Sequence, residues 1–161
     1  MKRLAIAVAI LAIGAGGCGG SSNPNNPSDI TVFTVPLSAL NENPPVSNAE
    51  STARGTAVIT INKATNTIDF NVSLNSFPAG SVVRIAHIHG PAPRTGNASV
   101  LVDTKLAPGD VTLTEGFGTF SFEQVTTSAA NITAILAAPE NHYFNVHTAL
   151  NGGGAVRGQL R

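Results

Sequence analysis

Tryptophan is absent from this chain, cysteine, methionine and tyrosine occur once each, and only 11% of its 161 residues are charged. Each scarcity excludes something. A single cysteine rules out an intramolecular disulfide and a cysteine-rich metal knuckle. The charge fraction is under half of the usual quarter or so. Nine basic residues balance nine acidic ones, with no basic run. The electrostatic footprint of nucleic-acid binding is therefore missing, and no nucleic-acid partner is expected. No Gly-x-Ser-x-Gly elbow occurs, and no glycine-rich loop joins a strand to a helix to cradle phosphate. The acids, among them Glu50, Asp69, Asp103 and Glu140, fall mostly in turns and at strand ends. Nothing in their spacing pairs two of them for acid–base work. The expectation is a protein that is not an enzyme.

What remains is Thr, Ser, Asn, Gly and Val, a mixture that favours strands and turns. Residues 55–62 place Ala57, Ile59 and Ile61 opposite Thr56, Val58 and Thr60. Residues 67–74 place Ile68, Phe70, Val72 and Leu74 opposite Asp69, Asn71 and Ser73. This strict period of two predicts a hairpin with one buried and one wet face. A first strand is expected within 30–40, with Ile30, Val32 and Val35 alternating with Thr31 and Thr34. Further strands are expected over 82–90, 98–104, 116–123, 143–148 and 155–160, with 106–114 as a turn-rich connection. Residues 126–138 are the one helical candidate. There Ser128 serves as N-cap, Ile132, Ile135 and Leu136 recur at helical spacing, and Pro139 is the stop. The pattern predicts an all-β, Greek-key β-sandwich of about seven to nine antiparallel strands with one short helix.

The N-terminus reads as an address. Lys2 and Arg3 precede an apolar run over 4–13, too short to span a bilayer comfortably. Small residues lead from it to Cys18. The segment resembles a bacterial lipoprotein signal, although Ala15 stands three residues before the cysteine where Leu is usual. The resemblance implies that Cys18 is the site of lipidation and the membrane anchor. The protein would then be secreted across the inner membrane and held at the outer membrane or cell surface. The division expected is a signal over 1–18, a flexible Ser/Asn/Pro tether over 19–29 and one domain over 30–161.

The densest chemistry is Ala86-His87-Ile88-His89-Gly90-Pro91-Ala92. Alternate residues of a strand share a face, so His87 and His89 look the same way. His147, in Tyr143-Phe144-Asn145-Val146-His147-Thr148, would complete three nitrogen donors if its strand lies nearby. Imidazole suits copper and zinc. The competing reading is a packed seam in which buried histidines bond backbone carbonyls, with Asn145 and Thr148 as partners. His142 reads as a solvated residue at a strand entrance. Arg157 is a lone cation in the apolar strand Ala155-Val156-Arg157-Gly158-Gln159-Leu160. It reads either as an outward-facing residue or as the structural partner of Glu42, which sits in the equally odd Asn41-Glu42-Asn43-Pro44-Pro45-Val46.

Together these segments resemble the CHRD domain, a family widespread in bacterial secreted proteins and lipoproteins. Gly55-Thr56-Ala57 is similar to the start of its first long hairpin, and the resemblance covers nearly all of 31–160. It implies an all-β sandwich but no known activity. Two positions depart from the family pattern: Ala155 stands where Glu is usual, and Gly152 where Pro is usual. If that Glu normally pairs with the Arg, Arg157 must be satisfied in another way. A fainter likeness joins the His-x-His strand and the later His to the copper ligands of Cu/Zn superoxide dismutase. That enzyme's bridging histidine, zinc loop and disulfide have no counterparts, so dismutase activity is not expected. The functional expectation is an envelope-anchored, non-enzymatic module binding a protein or envelope partner. The alternative is a copper or zinc protein using His87, His89 and His147.

Overall fold

A computed structural model describes residues 26–161. Cys18, the signal-like segment and most of the expected tether lie outside the described residues. Residues Pro27–Asp29 form one turn of 3-10 helix, capped by the Asn26 side chain.

Nine strands and one helix follow. They are β1 (Ile30–Ser38), β2 (Arg54–Asn62), β3 (Thr67–Asn75), β4 (Ser81–His89), β5 (Val100–Asp103), β6 (Val111–Leu113), β7 (Gly118–Thr126), α1 (Ala129–Ala137), β8 (Tyr143–Thr148) and β9 (Val156–Gln159). The order across the sheet is β5-β4-β8-β9-β1-β2-β3-β7, and β6 pairs with β4. All the pairings are antiparallel. The all-β class, the strand number and the single helix are as the sequence pattern predicts. The two layers belong to one sheet that curls over itself. Phe70 of β3 and Phe144 of β8 are far apart along that sheet, yet their rings stack at 5.7 Å. Such a pair adds about 0.5–1.5 kcal/mol beyond its buried area.

The hairpin β2–β3 keeps an unbroken register from Arg54↔Asn75 to Asn62↔Thr67, and its inward residues are the expected ones. β1 differs from expectation. Its inward residues are Phe33, Val35 and Leu37, while Val32 is exposed. The register Phe33↔Ile59 and Val35↔Ala57 sets this phase. In β4 strict alternation would put Val83 and Ile85 on the face of His87 and His89, but an irregularity between Val83 and Ile85 breaks it. Val83, Ala86 and Ile88 therefore all reach the apolar core. β6 forms inside the expected connection and fills the side of β4 that β5 leaves open. In α1 the Ser128 hydroxyl accepts from the Asn131 amide at 3.1 Å, and Ile132 and Ile135 are buried. At Gly158 a Cβ would collide with the Pro36 carbonyl, so glycine lets β9 close against β1. Among the described residues, no helix is long and apolar enough to cross a membrane.

Candidate metal centre

Alternation and register alone assemble the site. Across β4 and β8, Ile85 faces His147, His87 faces Asn145 and His89 faces Tyr143. Across β8 and β9, Asn145 faces Arg157 and Tyr143 faces Gln159. Opposed residues share a face. His87, His89, Tyr143, Asn145, His147 and Arg157 therefore project together, away from the core that holds Ala86, Ile88, Phe144 and Val146. The outer face of such a sheet is ordinarily wet. Here Glu42, the 91–98 segment and the turn before β9 cover it, and every residue of β8 is buried.

The three histidines are 7–8% exposed. His87 Nδ1 lies 3.3 Å from His147 Nε2. One ring nitrogen from each of the three falls within 4.8 Å of the others. Metal–nitrogen bonds of about 2.0–2.1 Å place tetrahedral donors about 3.3 Å apart. One edge of the triangle already has that length, and ring rotation has to close the widest.

Two of the rings are oriented through their far nitrogens. His89 Nδ1 donates to the Ala98 carbonyl at 2.9 Å, and His147 Nδ1 donates to the Gly152 carbonyl at 3.0 Å. Each bond fixes a tautomer and leaves a lone pair on Nε2, the usual orientation of a metal-ligating histidine. His89 Nε2 is buried with no hydrogen-bond partner. The carbonyl-bonded seam and the metal site are thus compatible readings, because an imidazole has two nitrogens. His89 also stacks on Tyr143 at 4.8 Å, and the Arg157 guanidinium lies 3.4 Å over the same ring.

Burial, then repulsion from His147 and His89, lowers the His87 pKa to about 4, against the opposing pull of Asp103. Burial likewise lowers His89 and His147. The cluster therefore holds neutral rings, the form that binds metal.

Arg157 is 1% exposed, so it is not an outward strand residue. It donates to Asn97 Oδ1 at 3.1 Å, the Pro93 carbonyl at 3.3 Å and Gln159 Oε1 at 3.2 Å. Nor does it form a direct ion pair with Glu42. Within 4.0 Å, the ion pairs among the described residues are Lys63–Asp29 and Lys105–Asp103. Neutral acceptors take up the two Nη groups of Arg157 and the Tyr143 ring covers its plane, while its Nε has no hydrogen-bond partner. Glu42 acts at longer range. It is 8% exposed, and burial raises its pKa to about 7, with Arg157 and the Asn145 amide pulling it back down. Its carboxyl packs on Gly154, where φ is +136° and a Cβ would lie 2.6 Å from Oε2.

His142 departs from expectation. It is buried against Gly90, and its Nδ1 donates to the Ala138 carbonyl at 2.9 Å. It stands outside the three-histidine cluster. Sequence reasoning passed over Tyr143 as a site residue and treated Asn145 only as a hydrogen-bond partner, although both alternate with His147. It had no signal for Glu50, which accepts from Thr148 Oγ1 and Asn151 Nδ2 at 2.6 Å each. That carboxylate anchors the turn carrying the Gly152 carbonyl.

No curated protein and no solved structure matches the chain. The CHRD domain family matches it over residues 33–160, from within β1 to just past β9, and the chain belongs to that family.

Proposed function

We propose that this CHRD domain is a non-enzymatic binding module whose ligand is a copper or zinc ion, held by His87, His89 and His147. The observation that carries the reading is the buried, partnerless Nε2 of His89, with two more imidazole nitrogens inside the same 4.8 Å group. Leaving such an atom unsatisfied costs about 1–3 kcal/mol. A metal ion removes that cost and takes neutral nitrogen donors. The test is titration of the purified chain with copper and zinc, with Cys18→Ser so that no thiol competes. One equivalent bound by this parent and lost in His89→Ala supports the reading, whereas equal binding by both overturns it.

The address is part of the same proposal. Cys18 carries the lipid anchor, and the polar stretch after it spaces the module from the outer membrane or cell surface. Lys2, Arg3, the apolar run and the lone cysteine support this. Acyl-chain labelling checks it: label on the wild type that disappears in Cys18→Ser is expected. An unlabelled, soluble wild-type protein contradicts it.

A further inference from the structure

Three imidazoles do not complete the cluster, because Asn145 stands in the middle of it. It lies opposite His87 on one side and Arg157 on the other, and is 2% exposed. Its Oδ1 is 3.1 Å from His147 Nε2, and the same amide lies near enough to His89 to influence it without making a hydrogen bond to its Nε2. Glu42, whose carboxyl packs on Gly154, feels the amide as a donor that pulls its pKa down.

A count of protons in this cluster comes up short. His147 and His89 each spend their ring proton on a backbone carbonyl, so both Nε2 atoms present lone pairs. An amide oxygen has only lone pairs to offer. His87 Nδ1 can serve His147 Nε2 with one proton, which leaves His89 Nε2 and Asn145 Oδ1 unserved. Turning the amide end for end would give His147 a donor, but it would also set Oδ1 against the Glu42 carboxyl, which could meet it only in its protonated form. Convergent lone pairs with too few protons between them form the donor set of a cation.

Resting on the three-histidine reading, we propose that Asn145 Oδ1 is the fourth donor of the metal site, the His87 ring proton passing to Nε2 as the ion takes Nδ1. Glu42 is its positioning residue, holding the amide through the amide nitrogen. The set becomes three nitrogens and one oxygen, which suits a tetrahedral divalent ion such as zinc. Glu42 then stands behind the ligand as the buried acid that orients it and offsets part of the ion's charge, a role that ligand-orienting carboxylates commonly fill.

The experiment uses the full chain with Cys18→Ser. Zinc competition reads affinity, and cobalt(II) replaces zinc so that its visible bands report the donors. Asn145→Ala is expected to weaken zinc binding about tenfold or more and to shift the cobalt bands. Asn145→Asp, which keeps an oxygen in place, is expected to restore the affinity. Glu42→Gln is expected to shift the cobalt bands with Asn145 intact, which a loss of packing alone would not do. Wild-type zinc affinity together with a wild-type cobalt spectrum in Asn145→Ala overturns the assignment. Should Asn145→Ala fail to fold, Asn145→Asp decides: shifted cobalt bands support the fourth donor, and unshifted bands overturn it. His89→Ala separates the two levels. Binding lost there but untouched in Asn145→Ala strikes only the fourth donor, whereas binding untouched in His89→Ala removes the three-histidine reading itself.

Discussion

On β3 the outward residues Asn71, Ser73 and Asn75 are exposed, while on β8 the outward residues Tyr143, Asn145 and His147 are buried. Both strands hide apolar side chains on their other face, and they meet through Phe70 and Phe144. The polar groups of β3 keep their water. Those of β8 have to replace it with protein partners, and around them the replacement is incomplete. Glu42 Oε1, His89 Nε2, His142 Nε2 and Arg157 Nε are buried without a hydrogen bond. Buried polar groups are nearly always paired, so these exceptions, with Glu42, His89 and Arg157 gathered at one face and His142 apart from them, ask for a reason. The outer layer of β4, β8 and β9 is a second, polar core with unpartnered buried atoms, whereas the outer layer of β2 and β3 is ordinary surface.

That contrast can be broken by mutation. Phe144→Ala, in the shared core, is expected to cost about 3–5 kcal/mol. Arg157→Ala, in the polar layer, is expected to cost about 1–3 kcal/mol for each buried acceptor it strands among Asn97, the Pro93 carbonyl and Gln159. Urea unfolding measures both. A cost under about 1 kcal/mol for Arg157→Ala would make the layer surface after all.

Acid sharpens the contrast. In metal-free protein, the folded state holds His87 neutral down to about pH 4, while the unfolded chain protonates near 6.5. The unfolded state therefore binds the extra proton between those values, and stability falls as pH drops through them, by up to about 3 kcal/mol. His147, His89 and Asp103 are the charged or titratable groups acting on it. Glu42 works in the opposite sense. Its folded pKa of about 7 exceeds the ordinary 4.5, so it adds stability as pH falls through that range, with Arg157 facing it. The two effects oppose each other between about pH 4.5 and 6.5. Glu42→Gln is expected to steepen the loss on acidification, read as urea midpoints in the presence of a chelator. Identical pH profiles for wild type and variant would contradict the assignment.

The smallest effects belong to the wet face. Asn71→Ala and Ser121→Ala are each expected to change stability by no more than about 0.5 kcal/mol. A larger cost at either position would mean that this face, too, carries structure.

Legibility in the sequence followed the same divide. β2 and β3 could be read to within a residue, because one parity of each is wholly apolar from Ala57 to Ile61 and from Ile68 to Leu74, and the other is polar apart from Val58. β1 was misphased because Ile30, Val32 and Phe33 put apolar residues on both parities, and only pairing with β2 selects one. The irregularity at Val83/Ile85 and the three-residue β6 leave no periodic trace. In the site, spacing alone put His87 and His89 on one face, and the repeated setting of His147 pointed to it as their companion. The Glu42–Asn145 contact joins segments a hundred residues apart through register and loop cover, and no local pattern encodes it. The oddness of Arg157 and Glu42 was visible, but their separation was not.

The most direct measurement is anomalous diffraction from crystals of the protein soaked in zinc. The account expects one strong peak about 2.0–2.2 Å from His87 Nδ1, His89 Nε2, His147 Nε2 and Asn145 Oδ1. A saturating soak that leaves this position without a peak, or places zinc only at His142 or the surface acids, would contradict it.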